Sequence, residues 1–219
     1  MIREQLRLLA GTATVGLVIG ALVGGVLGRL AMRLLVLTSD DRLDGALTDD
    51  EAVVNQFTLS GTVGLIFFLG LGGIALAWLY LGARQSLPTP LWMRSAIWAG
   101  LLWAVMGSQV FDPDGFDFTQ LSPTWLGVIV FSAIFVGVGA LIPVYAERAI
   151  ERWPSTWPAH LPLLAALPAF PIFAGGIVAV IGAGMSAEWR LVRWFGSAVM
   201  VAIAVLVGVP VVADVVRIL

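Results

Sequence analysis

The chain has no cysteine, and that absence removes disulfides, thiolate nucleophiles, iron–sulfur clusters and zinc–thiolate sites together. It also has no lysine, because all twelve basic residues are arginine. Neither a retinal nor a pyridoxal Schiff base can therefore form, since both need a lysine amine. A lysine-free composition of this kind fits the codon bias of a GC-rich bacterial genome. A single histidine, His160, excludes a haem held between two histidines. Charge is scarce: 12% of the 219 residues are charged, against about 25% in soluble domains. No cofactor is expected, and nothing in the chain reads as a nucleic-acid surface.

What the chain has instead is apolar length. Six runs lie near residues 8–37, 59–81, 91–111, 124–146, 161–182 and 191–212. Each offers the roughly 20 apolar residues that a helix needs to cross a bilayer core. With short connections they account for nearly the whole sequence. The expectation is an all-α, polytopic transmembrane bundle of about six helices, forming one integral membrane domain over residues 1–219. At the start, Arg3 and Arg7 precede an apolar stretch in the manner of a signal peptide. That stretch is longer than the usual h-region of about 7–15 residues and no A-x-A-like site follows, so it reads as an uncleaved signal anchor.

The longer connections sort by charge sign. Residues 39–56 carry Asp40, Asp41, Asp44, Asp49, Asp50 and Glu51 against Arg42, and the segment after the third run carries Asp112, Asp114 and Asp117. Arg3, Arg7, Arg84, Arg94, Arg148, Arg152 and Arg217 fall on the other side if the six runs alternate, with Arg29, Arg33, Arg42, Arg190 and Arg193 opposing them. The positive-inside rule then sets both termini in the cytoplasm, and the expected location is a bacterial inner membrane.

The second and fourth runs each follow an acidic loop and open with Phe-Thr, at Phe57-Thr58 and Phe118-Thr119; each ends with a tyrosine and then an arginine (Tyr80 and Arg84; Tyr145 and Arg148). Ser122 with Pro123 reads as an N-cap followed by a first-turn proline. Tandem helical hairpins would leave this correspondence, and chance likeness among apolar helices would leave it too. Pro154, Pro158, Pro162, Pro168 and Pro171 crowd the entry and first half of the fifth run, so kinking or a late start is expected there.

Three local features bear on function. Gly16, Gly20, Gly24 and Gly28 recur at four-residue spacing, with Thr12 before them, which lines them along one helix face as a close-packing groove. The groove suits either another helix of the same chain or a partner subunit, with Gly70, Gly72, Gly73, Gly137 and Gly139 as candidates for the opposing surface. Arg29 and Arg33 stand one turn apart just beyond it. They fit an anion or lipid-headgroup site, or structural pairing with the acids of the same side. Asp112-Pro113-Asp114-Gly115 has β-turn chemistry and lacks the ligand spacing of a calcium loop.

Catalytic chemistry has little to work with. The chain shows no H-E-x-x-H motif and no serine–histidine pairing, and His160 beside Trp157 suits an interface anchor. Asp214 with Arg217 three residues on reads as a helix-end ion pair. The sequence-level expectation is a protein with no catalytic residues and no metal site: an accessory subunit that packs against other membrane proteins or itself within the lipid bilayer. The alternative is a small-solute or lipid transporter, or a substrate-binding membrane component, with Arg29 and Arg33 near its ligand.

Overall fold

The computed structural model describes residues 2–39, 45, 58–120, 123–154 and 190–219, and among them every regular element is a helix. Helix α1 (Ile2–Ile19) runs without a break through a π-helical segment (Gly20–Val26) into α2 (Leu27–Thr38). Then follow α3 (Leu59–Ala83), α4 (Leu91–Val110), the short α5 (Phe116–Thr119), α6 (Thr124–Arg152) and α7 (Arg190–Ile218). The Leu-, Ala-, Val- and Gly-rich sequence favours this outcome because a helix satisfies its backbone N–H and C=O groups within the segment, as hydrocarbon surroundings demand. Three stretches, Glu4–Thr38, Leu59–Ala83 and Thr124–Arg152, are long and apolar enough to cross a membrane.

Local chemistry sets the ends of the helices. Thr58 caps α3, its Oγ1 accepting from the Gly61 N–H at 3.2 Å. Between α4 and α5 the Gly115 N–H donates to the Asp112 carbonyl at 3.1 Å, and the Asp114 N–H donates to Asp112 Oδ1 at 3.0 Å. That is the turn expected of Asp-Pro-Asp-Gly, with the first aspartate bonding its own backbone two residues on. Two boundaries differ from expectation. Pro123 occupies the N-cap of α6 in extended backbone (φ −82°, ψ 136°), and Ser122 lies outside the described residues. α6 also continues past Ala146 to Arg152, because Glu147, a polar residue that reads as a helix exit, is turned into the bundle. The expected fifth run, 161–182, with its prolines, lies outside the described residues.

Helices α1 and α3 pack antiparallel, and so do α4 and α6. Arg7 Nη1 donates to the Trp153 carbonyl at 3.2 Å, which brings the start of α1 to the end of α6. At the far end Leu35, Phe111, Phe118, Val128, Phe131 and Val211 form one buried cluster. Phe111 is its hub, with the Phe118 ring 5.7 Å away edge-on and the Phe135 ring at 6.1 Å.

α7 corrects the expected topology. A methyl at Gly208 would meet Ala104 Cβ at 3.5 Å and one at Gly107 would meet Val211 Cγ1 at 2.9 Å. The two helices therefore run parallel, and Val215 and Ile218 pack against the Phe111–Phe118 cluster. Arg190 and Arg193 thus begin α7 at the end that holds Arg7, Arg84 and Arg94, whereas Arg217 joins Asp112 at the opposite end. The two termini stand at opposite ends of the bundle, not together. Trp153 and Arg190 share one end, where strict alternation of six crossings would separate them.

The glycine groove is filled by α3 of the same chain. A methyl at Gly16 would collide with the Gly73 carbonyl, and one at Gly20 with the Leu69 carbonyl, so the backbones touch across this seam. The register then slips. At Gly24 a methyl would make ordinary contact with Leu69 at 3.4 Å, at Gly28 it would meet nothing within 4 Å, and at Gly25 it would press on Ile66 Cα at 2.7 Å. The π segment widens the turn by one residue and passes the contact from the Gly24 row to Gly25. Gly70 abuts Leu17, Gly72 has open space, and Gly139 packs on Ala99 of α4, not on the first helix.

A pair of substitutions separates contact from composition. Gly16→Ala should destabilise the protein by about 1–3 kcal/mol, the cost of overpacking. Gly28→Ala should be neutral or stabilising by up to about 1 kcal/mol, since alanine is the better helix former in open space. Thermal unfolding in detergent reads both, and equal effects would overturn the assignment of the seam.

Candidate functional site

The densest polar constellation joins α3, α4 and α6 at the Arg7 end. Tyr80 and Arg84 lie one turn apart at the close of α3, Arg94 in the first turn of α4, and Glu147 in the last two turns of α6. Glu147 Oε1 accepts from the Tyr80 hydroxyl at 2.7 Å, from Arg94 Nη1 at 2.8 Å and from Arg84 Nε at 3.2 Å; its Oε2 accepts from Arg84 Nη2 at 2.8 Å. Arg94 Nε also donates to the Pro88 carbonyl at 2.7 Å, tying the α3–α4 connection to the same group.

Packing holds this arrangement in place. Tyr80 is fully buried, and the Trp98 ring meets it edge-on at 5.7 Å. The side chains of Glu147, Arg94 and Arg84 keep 16%, 17% and 28% of their surface exposed. They are thus largely withdrawn from water but open on one side. Burial at this level makes each charge–charge contact stronger than at a free surface, and makes loss of either partner costly. Beside the cluster, Ser95 Oγ and Trp98 Nε1 are buried without a hydrogen-bond partner. Further basic groups stand at the same end: Arg7 pairs with Glu4, and Arg148 lies over the Tyr145 ring at 5.1 Å.

The sequence-level candidates sit elsewhere. Arg29 is half-buried and Arg33 exposed, both in α2 towards the Asp112 end. The structure does not bring them near the Glu147 cluster, and each holds an interaction of its own. Gly16 and Gly20 belong to the α1–α3 seam, Gly24 borders it and Gly28 stands clear. Asp214 and Arg217 approach to 4.0 Å with the arginine 74% exposed, a loose surface pair of small energetic weight. Trp78, Trp98 and Trp103 do pack between helices, with Trp78 Nε1 donating to the Leu9 carbonyl at 3.1 Å and Trp103 Nε1 to Ser132 Oγ at 2.9 Å. Among the described residues no three His, Asp or Glu side chains gather as a metal site would require.

Sequence reading missed Glu147 as a site residue. The signal was present in the paired helix endings, where Tyr80 precedes Arg84 and Tyr145 precedes Arg148. The glutamate between Tyr145 and Arg148 is the acid that answers Arg84 across the bundle. Comparison with known proteins gives no match to a protein-family model, a curated protein or a solved structure.

Because Glu147 serves two guanidiniums, Glu147→Ala should cost about 3–5 kcal/mol, the penalty of leaving buried charge uncompensated. Tyr80→Phe, which removes one hydrogen bond to a charged group, should cost about 1.5–3 kcal/mol. Chemical unfolding in mild detergent measures both, and an effect of Glu147→Ala under about 1 kcal/mol would mean a surface pair only.

Proposed function

We propose that this protein is a non-catalytic, polytopic membrane protein that serves as a helix-packing subunit of a larger membrane assembly. The observation that carries this reading is its close-packed, apolar midsection. Backbone meets backbone at Gly16 and Gly73 and again at Gly139 and Ala99, as small residues permit in membrane bundles. Deep polar side chains are spent within the chain: Thr12 Oγ1 donates to the Leu8 carbonyl at 2.8 Å, Thr14 Oγ1 to the Ala10 carbonyl at 2.9 Å, and Trp103 to Ser132. A hydrophilic solute would call for polar groups directed into a path near the midplane.

The outer surfaces support the same reading. Phe67 and Phe68 on α3, Trp125 and Ile129 on α6, and Leu206 and Val209 on α7 are exposed, which suits lipid or the helices of another subunit. We read the antiparallel pairs α1–α3 and α4–α6 as two hairpins of one design. Arg7, Arg84, Arg94, Arg148 and Arg152, joined by Arg190 and Arg193, gather at one end, and the positive-inside rule assigns that end and the N-terminus to the cytoplasm of a bacterial inner membrane. The C-terminus then faces the other side.

A transporter or substrate-binding component is favoured by one feature. The π-helical turn of residues 20–26 directly precedes Arg29, and such wide turns are frequent at functional sites.

Native mass spectrometry after gentle extraction from the native membrane tests the choice. A stoichiometric complex with other membrane proteins is expected; a lone monomer or small homo-oligomer carrying a bound solute would overturn the subunit reading in favour of transport. Under that second reading, Arg29→Gln combined with Arg33→Gln abolishes solute retention while the melting temperature holds. Loss of folding would instead assign both arginines to structural pairing.

A further inference from the structure

The Glu147 cluster is saturated in acceptors and unsaturated in donors. Oε1 takes three hydrogen bonds and Oε2 takes one, which leaves the carboxylate with little more to give. Each guanidinium has five N–H groups. Arg84 uses Nε and Nη2, and Arg94 uses Nε and Nη1, so Arg84 Nη1 and Arg94 Nη2 remain unfilled among the described residues. Next to Arg94, and one turn on, come the buried and unpartnered Ser95 hydroxyl and Trp98 indole N–H. An indole N–H can only donate. Two arginines against one glutamate also leave one positive charge in excess, withdrawn from water where such an excess is costly. Every open valence here asks for an anion rich in acceptor oxygens.

The level of the cluster narrows the choice. Tyr80 lies three residues from the end of α3 and Glu147 five from the end of α6, which at 1.5 Å per residue sets the cluster about 5–8 Å inside the helix ends. In a membrane that is the depth of the headgroup boundary. Arginine forks match phosphate oxygens in two-point geometry, and donors from separate residues suit a tetrahedral group with several oxygens better than a planar carboxylate.

We propose that Arg84, Arg94, Ser95 and Trp98 form a seat for a phosphate group, carried by a lipid headgroup or free in solution, with Glu147 holding the two guanidiniums apart and aimed. Glu147 is then a positioning residue whose charge limits the affinity of the seat.

The test uses the full-length protein in two arms. In the first, the protein is reconstituted with phosphatidylglycerol and its retained lipid is counted by native mass spectrometry. In the second, lipid-free protein in a neutral detergent is titrated with inorganic phosphate and its melting temperature is followed. Glu147→Gln keeps the shape and adds a positive charge, so retention of phosphatidylglycerol, or the apparent affinity for phosphate, should rise by about tenfold. Trp98→Phe and Ser95→Ala keep the packing and remove donors, so each should lower it. A response in the lipid arm alone assigns the phosphate to a headgroup, and a response to inorganic phosphate assigns it to a soluble ion; either supports the seat. Unchanged retention and unchanged phosphate response in Trp98→Phe and Ser95→Ala would overturn it, whether or not Glu147→Gln folds. So would a Glu147→Gln protein that folds and melts lower without gaining anion binding.

Discussion

One carboxylate organises an entire end of this bundle. Glu147 reaches from α6 to the last turn of α3 and the first turn of α4, and through Arg94 it also touches the Pro88 carbonyl between them. Helices without polar marks can slide along one another at little cost, because in an apolar medium no hydrophobic force selects their register. A charged hydrogen bond does select it, being short, directional and expensive to leave unmade. The α3–α4 hairpin is thereby fixed against α6 at a single level. Packing then does the rest: the backbone contact of Gly16 with Gly73 fixes α1 on α3, and Gly139 against Ala99 fixes α4 on α6.

The opposite end is held by other means. There Phe111 gathers Phe118, Phe135 and Trp103 around it, and Val211 of α7 and Leu35 of α2 close the group. Edge-to-face rings contribute a modest preference each beyond their buried area, and they tolerate small displacements that a bidentate ion pair does not. The bundle is thus stiffly registered at the arginine-rich end and compliantly packed at the end carrying Asp112.

The positions of the apolar runs were legible because hydrocarbon-crossing length is a property of composition, readable without knowing any contact. Gly16 and Gly20 were legible for a related reason, since four-residue spacing maps directly onto a helix face. Gly28 misled because the mapping assumes an unbroken 3.6-residue turn, and the π segment lies between. Glu147 was hidden by the rule that charge marks a helix exit: Glu147, Arg148, Glu151 and Arg152 look like a terminus, yet only the first of them turns inward to meet Arg84 and Arg94. The direction of α7 was not legible either. A uniformly apolar helix carries no mark of which way it runs, and the alternation rule assumes that each run crosses once.

The π segment has one more consequence. Successive α-helical residues are rotated by about 100° around the axis, so the single extra residue held in Gly20–Val26 sets the bearing of everything from Leu27 to Thr38. Deleting one residue there would let the rod close into an uninterrupted α-helix, but it would also swing Arg29, Arg33 and Leu35 together by about a quarter turn. Leu35 would leave the Phe111 cluster and the two arginines would face a different neighbour. The segment therefore works as a fixed phase setter between two halves of one rod, and its length, more than its composition, is what the fold constrains.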